Sequence, residues 1–538
     1  MKNIFSTVLC CIFLAINSIY AQSFRTTWIT TDQQIIIPTN DSLEYNYSIT
    51  WKNLTNKGVG DGSAKKVKGK YTIQNLEDSS VYEVAINGQF PHFYMNSNYT
   101  EKFKIRTIEE WGAIKWQSMK NSFSGCTNIT SKATDIPNLK EVTDMSFMFA
   151  DCEKFDGNST MNEWNISNIT NLSYMFYKAI YFNQPIGNWN TSNVTDISHM
   201  FEGSTSFNQS IEKWNTSNVI LMNSVFWGST SFNQPIGNWN TQNVTDMSKM
   251  FMYSLSFNQP IGNWNTQKVE NMNYMFSTTL SFNQPIEKWN TSNVKTMCGM
   301  FSSTVFNQAL QRWNTQNVTD MSDMFKHASL FNQPIEKWNT ENVTNMSGMF
   351  QNTTSFNQPI EKWNTSNVTD MSELFFNTIS FNQPIENWNT QNVTNMSYMF
   401  AYNSSFNQPI ENWNTQNVTN MSNMFYSNTL FNQPISKWNT ENVTNMSKMF
   451  WHAKAFNQPI GKWNIENITT MRDMFSDSNL SLENYDATLI SWVKNTIIPR
   501  NININSNGLK YCKSKEARQK LIDEYGWTIE GDELNCEE

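Results

Sequence analysis

The sequence predicts a mixed α/β solenoid of about 14–15 coils, each with a short strand and a short helix or 3₁₀ turn, preceded by a small all-β sandwich domain. Two observations predict this fold. A 25-residue unit, Phe-Asn-Gln-Pro-Ile-x-x-Trp-Asn-Thr-x-Asn-Val-Thr-x-Met-Ser-x-Met-Phe plus five looser residues, recurs through two-thirds of the chain. The residues before it show short alternating apolar runs instead. Because a unit of this length cannot bury its own apolar face, its recurrence predicts stacked units that share one core.

Tryptophan marks the period. The tryptophans of the Trp-Asn position, from Trp164 to Trp463, are 25 residues apart from repeat to repeat, except Trp289 and Trp313, which are 24 apart. The hydrophobic content of 39% and the mean hydropathy of −0.54 are low, but aromatic residues make up 14% of the chain. Disordered chains are poor in aromatic residues, so we expect a folded array with a polar surface.

Each unit carries a helix-like pattern and a strand-like pattern. Val194, Ile197 and Met200, with Phe201, are spaced to share one face of a short helix, and Asn193 is placed to cap it. The Gln-Pro-Ile-x-x-Trp-Asn stretch has few helix signals, and its proline suits the start of a strand. The recurring Phe, Ile, Trp, Val and Met side chains are expected to fill the interior.

The flanking segments divide the chain into four regions. Residues 1–21 resemble a signal peptide with cleavage between Ala21 and Gln22, and the apolar run is shorter than the roughly 20 residues that a membrane span needs. We expect an Ig/PKD-like all-β domain at 22–110, the solenoid with its capping coil at 111–479, and a helical or mixed cap at 480–538. The mature protein is predicted to be secreted or on the cell surface, with no membrane span.

Composition argues against several classes of function. The formal net charge of −8 disfavours nucleic acid as a partner. The four histidines are scattered, and no nucleophile triad, metal-ligand spacing or phosphate loop is present, so we predict a non-enzyme without cofactor or metal. An exported chain permits disulfides. Cys126 and Cys152 hold equivalent positions in successive units and form one candidate pair; Cys512 and Cys536, beside the C-terminal cap, form another.

Two sets of variable positions are candidate binding residues. One set lies just before each tryptophan and carries basic residues on a predicted exposed sheet face: Lys213, Lys288, Arg312, Lys337, Lys362 and Lys437. The other follows each Met-Phe and carries aromatic residues: Trp227, Phe376, Tyr426 and Trp451. The first hypothesis is an adhesion or protein-interaction scaffold for host or neighbouring-cell proteins. The alternatives are glycan binding by the aromatic set and a passive spacer. Each set also has an explanation without binding. The basic residues would then reflect neutral drift on a solvated surface, and the aromatic residues would pack at the edge of the predicted helix.

The segment Trp239–Phe251 resembles the repeat of BspA-like leucine-rich-repeat surface proteins. The lead-in Trp111–Trp116 and the ending Tyr525-Gly-Trp-Thr528 resemble the flanks of Bacteroidota-type members of that family. The resemblance implies an exported, right-handed leucine-rich-repeat-like array with adhesion or host-interaction functions, and it supplies no catalytic residues.

Overall fold

The computed structural model describes residues 22–95 and 100–536. The predicted signal peptide, including Ala21, lies outside the described residues, and Gln22 is the first residue described. The chain divides into two compact units, Met1–Asn265 and Thr266–Glu538. No helix among the described residues is long and apolar enough to cross a membrane.

The first unit begins with a β-domain. Its strands are β1 (Phe24–Ile29), β2 (Ile35–Ile37), β3 (Asn46–Asn53), β4 (Gly62–Val67), β5 (Tyr71–Ile73), β6 (Val81–Gln89), β7 (Ile105–Glu110) and β8 (Thr130–Ser131). The main sheet has the order β4-β3-β6-β1-β7-β8, and its pairs are antiparallel except for β7 and β8. Strands β2 and β5 form a separate antiparallel pair. Phe24, Trp28 and Ile49 are fully buried in this domain.

The alternating runs around Trp28, Ile36, Ile49, Thr72 and Val84 all lie in strands. The predicted Ig/PKD-like sandwich is nevertheless wrong in its arrangement. The second sheet holds two strands of three residues each, and the main sheet stays open and takes up β8 from the repeat region. Strand β4 was missed because its sequence, Gly-Ser-Ala-Lys-Lys-Val, lacks the alternation of a half-buried strand.

The predicted mixed α/β, leucine-rich-repeat-like right-handed solenoid of about 14–15 coils is wrong. Residues 111–479, which the structure describes in full, contain no α-helix, and their regular elements are strand β8 and the 3₁₀ helix Ser159–Glu163. Each repeat is a series of tight turns instead. The carbonyl of Leu172 accepts the Met175 N–H at 3.2 Å, and Tyr174, the third residue of this turn, has φ 57°. The next turn places Lys178 at φ 52°. Two left-handed residues four positions apart in each repeat prevent an α-helix from propagating.

Backbone hydrogen bonds join consecutive repeats. The N–H groups of Leu172 and Tyr174 donate to carbonyls of the following repeat at 2.9 and 3.0 Å, while the N–H of Met175, which lies between Tyr174 and Phe176, closes a turn within its own repeat. Single parallel bridges such as Asn345↔Asp370 recur in both units. Side chains add further bonds: Trp214 Nε1 donates to the Ile186 carbonyl at 3.0 Å, 28 residues earlier. These contacts supply hydrogen-bond partners for backbone N–H and C=O groups that belong to no helix or sheet.

The repeated apolar residues form the interior, as predicted. Phe, Ile, Val and Met at the repeat positions are almost fully buried, and the tryptophans are 1–4% exposed. Equivalent rings stack from repeat to repeat: Trp189 and Trp214 lie 6.2 Å apart with planes 3° apart, and Trp338 and Trp363 lie 6.4 Å apart with planes 2° apart. The period therefore predicted the core correctly, although it did not reveal the backbone that carries it.

The second unit ends in a cap with two helices, α1 (Leu482–Trp492) and α2 (Lys515–Tyr525). Ser481 Oγ accepts the Asn484 N–H at the start of α1, and Gly526 closes α2 with φ 68°. Strands β9 (Asn503–Asn505) and β11 (Thr528–Glu530) pair in parallel, as do β10 (Lys510–Tyr511) and β12 (Glu533–Leu534).

The two candidate disulfides have different outcomes. Cys512 and Cys536 form a disulfide in the cap. Cys126 and Cys152 remain free, buried thiols, so the pair expected from their equivalent positions is not formed. The Cys152 thiol donates to the Phe123 carbonyl at 3.0 Å, and burial raises the pKa of both thiols well above the ordinary value.

Candidate binding surface

Three of the positions that vary between repeats lie close together along the turns. The first lies between Met-Ser and Met-Phe, the second directly follows the Phe, and the third is the next residue; in one repeat these are Tyr398, Ala401 and Tyr402. We call these three columns of positions the variable face. The neighbouring Met399 and Phe400 are fully buried, so the fold fixes the backbone here and leaves most variable side chains at the surface.

The first and third positions are left-handed in every complete repeat. Where they are not glycine, φ lies between 51° and 59°, and the glycines Gly203, Gly228, Gly299 and Gly348 adopt the same region. A residue with a β-carbon pays about 1–2 kcal/mol in this conformation, which glycine avoids. The backbone therefore favours glycine at these positions, and a large side chain there is not required by the fold.

Aromatic rings gather on the variable face of the second unit, in four consecutive repeats. We call Phe376, Tyr398, Tyr402, Tyr426 and Trp451 the aromatic cluster. The ring centroids of Phe376 and Tyr402 are 5.5 Å apart, those of Tyr402 and Tyr426 are 4.9 Å apart, and those of Tyr426 and Trp451 are 4.5 Å apart. Tyr398 joins through Phe376 at 6.1 Å. The cluster is a continuous strip of ring contacts along the stacked repeats.

The cluster is partly open to solvent and carries polar groups. Tyr402 is 43% exposed, and the other four rings are half-buried. Burial, and then a hydrogen bond with Tyr402, raises the pKa of Tyr426 to about 12. At one end the Lys448 ammonium lies 5.6 Å from the Trp451 ring centroid.

The neighbouring repeats show that the same backbone forms without these rings. The variable positions of the three repeats before the cluster hold Gly299, Ser302, Ser303, Asp323, Lys326, His327, Gly348, Gln351 and Asn352. Ser303 and Asn352 both have φ 58°, the value of Tyr402. The aromatic cluster is therefore a local feature of four repeats and not part of the repeat pattern.

The structure brings together three of the four predicted aromatic residues. Phe376, Tyr426 and Trp451 belong to the cluster, whereas Trp227 lies in the first unit, with the Lys249 ammonium 5.0 Å from its ring centroid. Tyr398 and Tyr402 were not among the predicted residues: the position of Tyr398 lies within the predicted helix, and Tyr402 lies one residue beyond the predicted aromatic position. One signal was available in the sequence: glycine and tyrosine alternate at the same repeat position, as in Gly348 and Tyr398.

The six predicted basic residues are exposed, but the sheet face expected beneath them is absent. They are Lys213, Lys288, Arg312, Lys337, Lys362 and Lys437. Two of them pair with a glutamate of the preceding repeat: Arg312 with Glu287 at 3.5 Å and Lys437 with Glu411 at 3.0 Å. Part of the positive charge is thus neutralised within the column. Glu336, Glu361 and Glu386, three successive glutamates of this column, each have a buried Oε2 without a hydrogen-bond partner.

Two other kinds of functional site are relevant here: metal sites and catalytic clefts. Within the described ranges, no group of three or more His, Cys, Asp or Glu side chains is arranged to hold a metal ion. A cleft of about 470 Å³ is lined by Gln22, Gly88, Ile114 and Glu141 among others, and it contains no nucleophile–base arrangement.

Comparison with known families agrees with the repeat architecture. The family described as Mycoplasma protein of unknown function, DUF285, matches residues 117–235, 208–305, 302–401 and 371–488. These matches together span residues 117–488, which is more than half of the chain, and tandem matches of this kind indicate a repeat-containing protein of surface type. They do not support the BspA-like leucine-rich-repeat assignment specifically. No curated protein matches this sequence. On this evidence the chain belongs to the DUF285 family.

Proposed function

We propose that the protein is a non-catalytic, exported interaction scaffold that binds macromolecular partners through the variable face of its repeats. One observation carries the proposal: a uniform buried core holds the backbone constant, while the aromatic cluster places two of its five rings, Tyr398 and Tyr402, at left-handed positions that favour glycine. Backbone strain that the fold does not need points to function. The signal-peptide pattern before Gln22 supports export.

The column of basic residues is a second candidate contact surface for host or neighbouring-cell proteins. Its support is the exposure of Lys337 and Lys362, which have no ion-pair partner within the described residues. Charges of this kind steer association more than they add affinity. If neither the variable face nor the basic column binds a partner, the protein is a passive spacer.

Binding by the mature chain, residues 22–538, to arrays of matrix proteins and glycans tests the proposal. Three variants separate the surfaces: Tyr402→Gly with Trp451→Ala on the variable face, Lys337→Glu with Lys362→Glu on the basic column, and Lys510→Glu in the cap as a charge control. We expect the first variant to lose binding and the control to keep it. Absence of binding by the unmodified chain, or loss in the control alone, would overturn the scaffold function.

Export has its own measurement. Cell fractionation of the native organism, with N-terminal sequencing, should recover a chain beginning at Gln22 outside the cytoplasm. A full-length chain retained in the cytoplasm would refute export and leave array binding as a separate question.

A further inference from the structure

We propose that the aromatic cluster binds a linear polysaccharide that lies along the stacked repeats. This inference rests on the proposed function, because it assigns a ligand class to one part of the variable face. It concerns Phe376, Tyr398, Tyr402, Tyr426 and Trp451 and the polar residues beside them.

The first argument is that the rings are not there for packing. Tyr398 and Tyr402 hold φ values of 57° and 58°, a conformation that glycine adopts without strain. Positions equivalent to Trp451 hold Gln351 and Ala401 in other repeats of the same unit, and the inter-repeat hydrogen bonds continue there. The repeat backbone therefore does not require these rings, and Tyr398 and Tyr402 stand where glycine would be less strained.

The second argument is chemical. The variable positions of these four repeats are Glu373, Phe376, Asn377, Tyr398, Ala401, Tyr402, Asn423, Tyr426, Ser427, Lys448, Trp451 and His452. Rings, phenols and amides dominate, the single aliphatic side chain is the buried Ala401, and Glu373 and Lys448 balance in charge. Sugars present C–H faces that pack on rings and hydroxyls that bond to phenols and amides, so this composition suits carbohydrate.

The third argument is register. Rings at equivalent positions of adjacent repeats lie 4.5 Å apart for Tyr426 and Trp451 and 6.4 Å apart for Trp338 and Trp363. These distances are close to the length of one pyranose in an extended polysaccharide. A linear glycan along the stack therefore meets one repeat per sugar, and four repeats contact about four sugars. A protein partner would be expected to use the exposed aliphatic residues nearby, Ile379 and Leu430, which lie outside the cluster.

Affinity gel electrophoresis of the mature chain in gels containing β-glucan, mannan, xylan or hyaluronan tests the inference. We expect at least one polysaccharide to retard the protein. Tyr402→Gly and Trp451→Ala should each weaken retardation up to about tenfold, since each removes one ring stack. The matched control, Ile379→Ser with Leu430→Ser, removes exposed apolar area in the same repeats and should leave retardation unchanged.

A second measurement excludes simple misfolding. Tyr402→Gly relieves a left-handed residue, so its urea midpoint should stay close to that of the unmodified chain. Failure of all four polysaccharides to retard the protein, or equal retardation of the cluster variants, would overturn the carbohydrate assignment. If the same variants still lose binding on protein arrays, the scaffold function stands and its ligand is a protein. If they change nothing on any array, the scaffold function fails at this surface as well.

Discussion

Replacing Gly228 by alanine tests whether the repeats are built from left-handed turns. Gly228 has φ 69°, and the nearest atom to an added methyl group is the Gly203 Cα at 3.7 Å, so the methyl group would make an ordinary van der Waals contact without a clash. Only the backbone conformation is probed. In an α-helix, glycine to alanine stabilises by about 1 kcal/mol. In a left-handed turn, alanine costs about 1–2 kcal/mol, of which about 0.5–1 kcal/mol is offset by the lower entropy of the unfolded chain. The net expectation is a loss of about 0.5–1 kcal/mol.

The reverse substitution should have the opposite sign. Ser303 occupies the same repeat position at φ 58°, so Ser303→Gly should stabilise by up to about 1 kcal/mol. Gly299→Ala is a steric comparison, because its methyl group would clash with the Tyr274 ring at Cε1, and we expect a larger loss than for Gly228→Ala. The measurement is urea unfolding followed by near-ultraviolet circular dichroism, comparing midpoints at equal m-values.

The signs decide between two backbones. If Gly228→Ala raises the midpoint and Ser303→Gly lowers it, the segment is helical and the turn architecture is refuted. Equal effects of Gly228→Ala and Gly299→Ala would contradict the placement of the Tyr274 ring over Gly299.

Three further predictions concern charge, pH and the cap. Glu361→Gln should stabilise by about 0.5 kcal/mol, and less at high salt, because its buried Oε2 is unpaired within a column of glutamates; a lower urea midpoint would contradict this. His92 Nε2 donates to the Lys120 carbonyl, and burial lowers the pKa of this histidine below the ordinary value of 6.5. As pH falls, His92 therefore takes up a proton in the unfolded chain before it does so in the folded chain. The free energy of unfolding should consequently decrease as pH drops below 6.5. A His92→Gln variant should lose that part of the slope in denaturant midpoints measured from pH 7.5 to 5. Cys512→Ser should cost about 3 kcal/mol in the cap, seen as faster proteolysis that reductant does not increase further.

The sequence determines the core but not the backbone of the repeats, for a physical reason. Ile186, Trp189 and Met200 were identified as interior residues because a fixed period forces equivalent side chains into one column, and all three are buried. The spacing of Val194, Ile197 and Phe201 is compatible with a helix and equally with successive turns, since both return the chain to one face every three to four residues. Periodicity alone does not distinguish them.

Contacts between repeats account for what the sequence did not predict in the binding surface. Exposure of the basic column was predicted, but the partner of Lys437 is Glu411 of the preceding repeat and not a residue beside it in sequence. Likewise Tyr402 meets Tyr426 only because stacking brings positions 24 residues apart within 4.9 Å. Such pairs depend on the register in which neighbouring repeats stack, and the geometry of the turns determines that register.

This division explains how one array can carry a local binding surface. The buried ladders fix the backbone so firmly that Gly348 and Tyr398, at equivalent positions, have φ values of 60° and 57°. A side chain on the variable face therefore changes without altering its neighbours, but a residue other than glycine at the first or third position, such as Tyr398 or Tyr402, carries a conformational penalty. A cluster of five in adjacent repeats is expected to persist only where a ligand contacts several of them together, which is why the test variants remove rings from two different repeats.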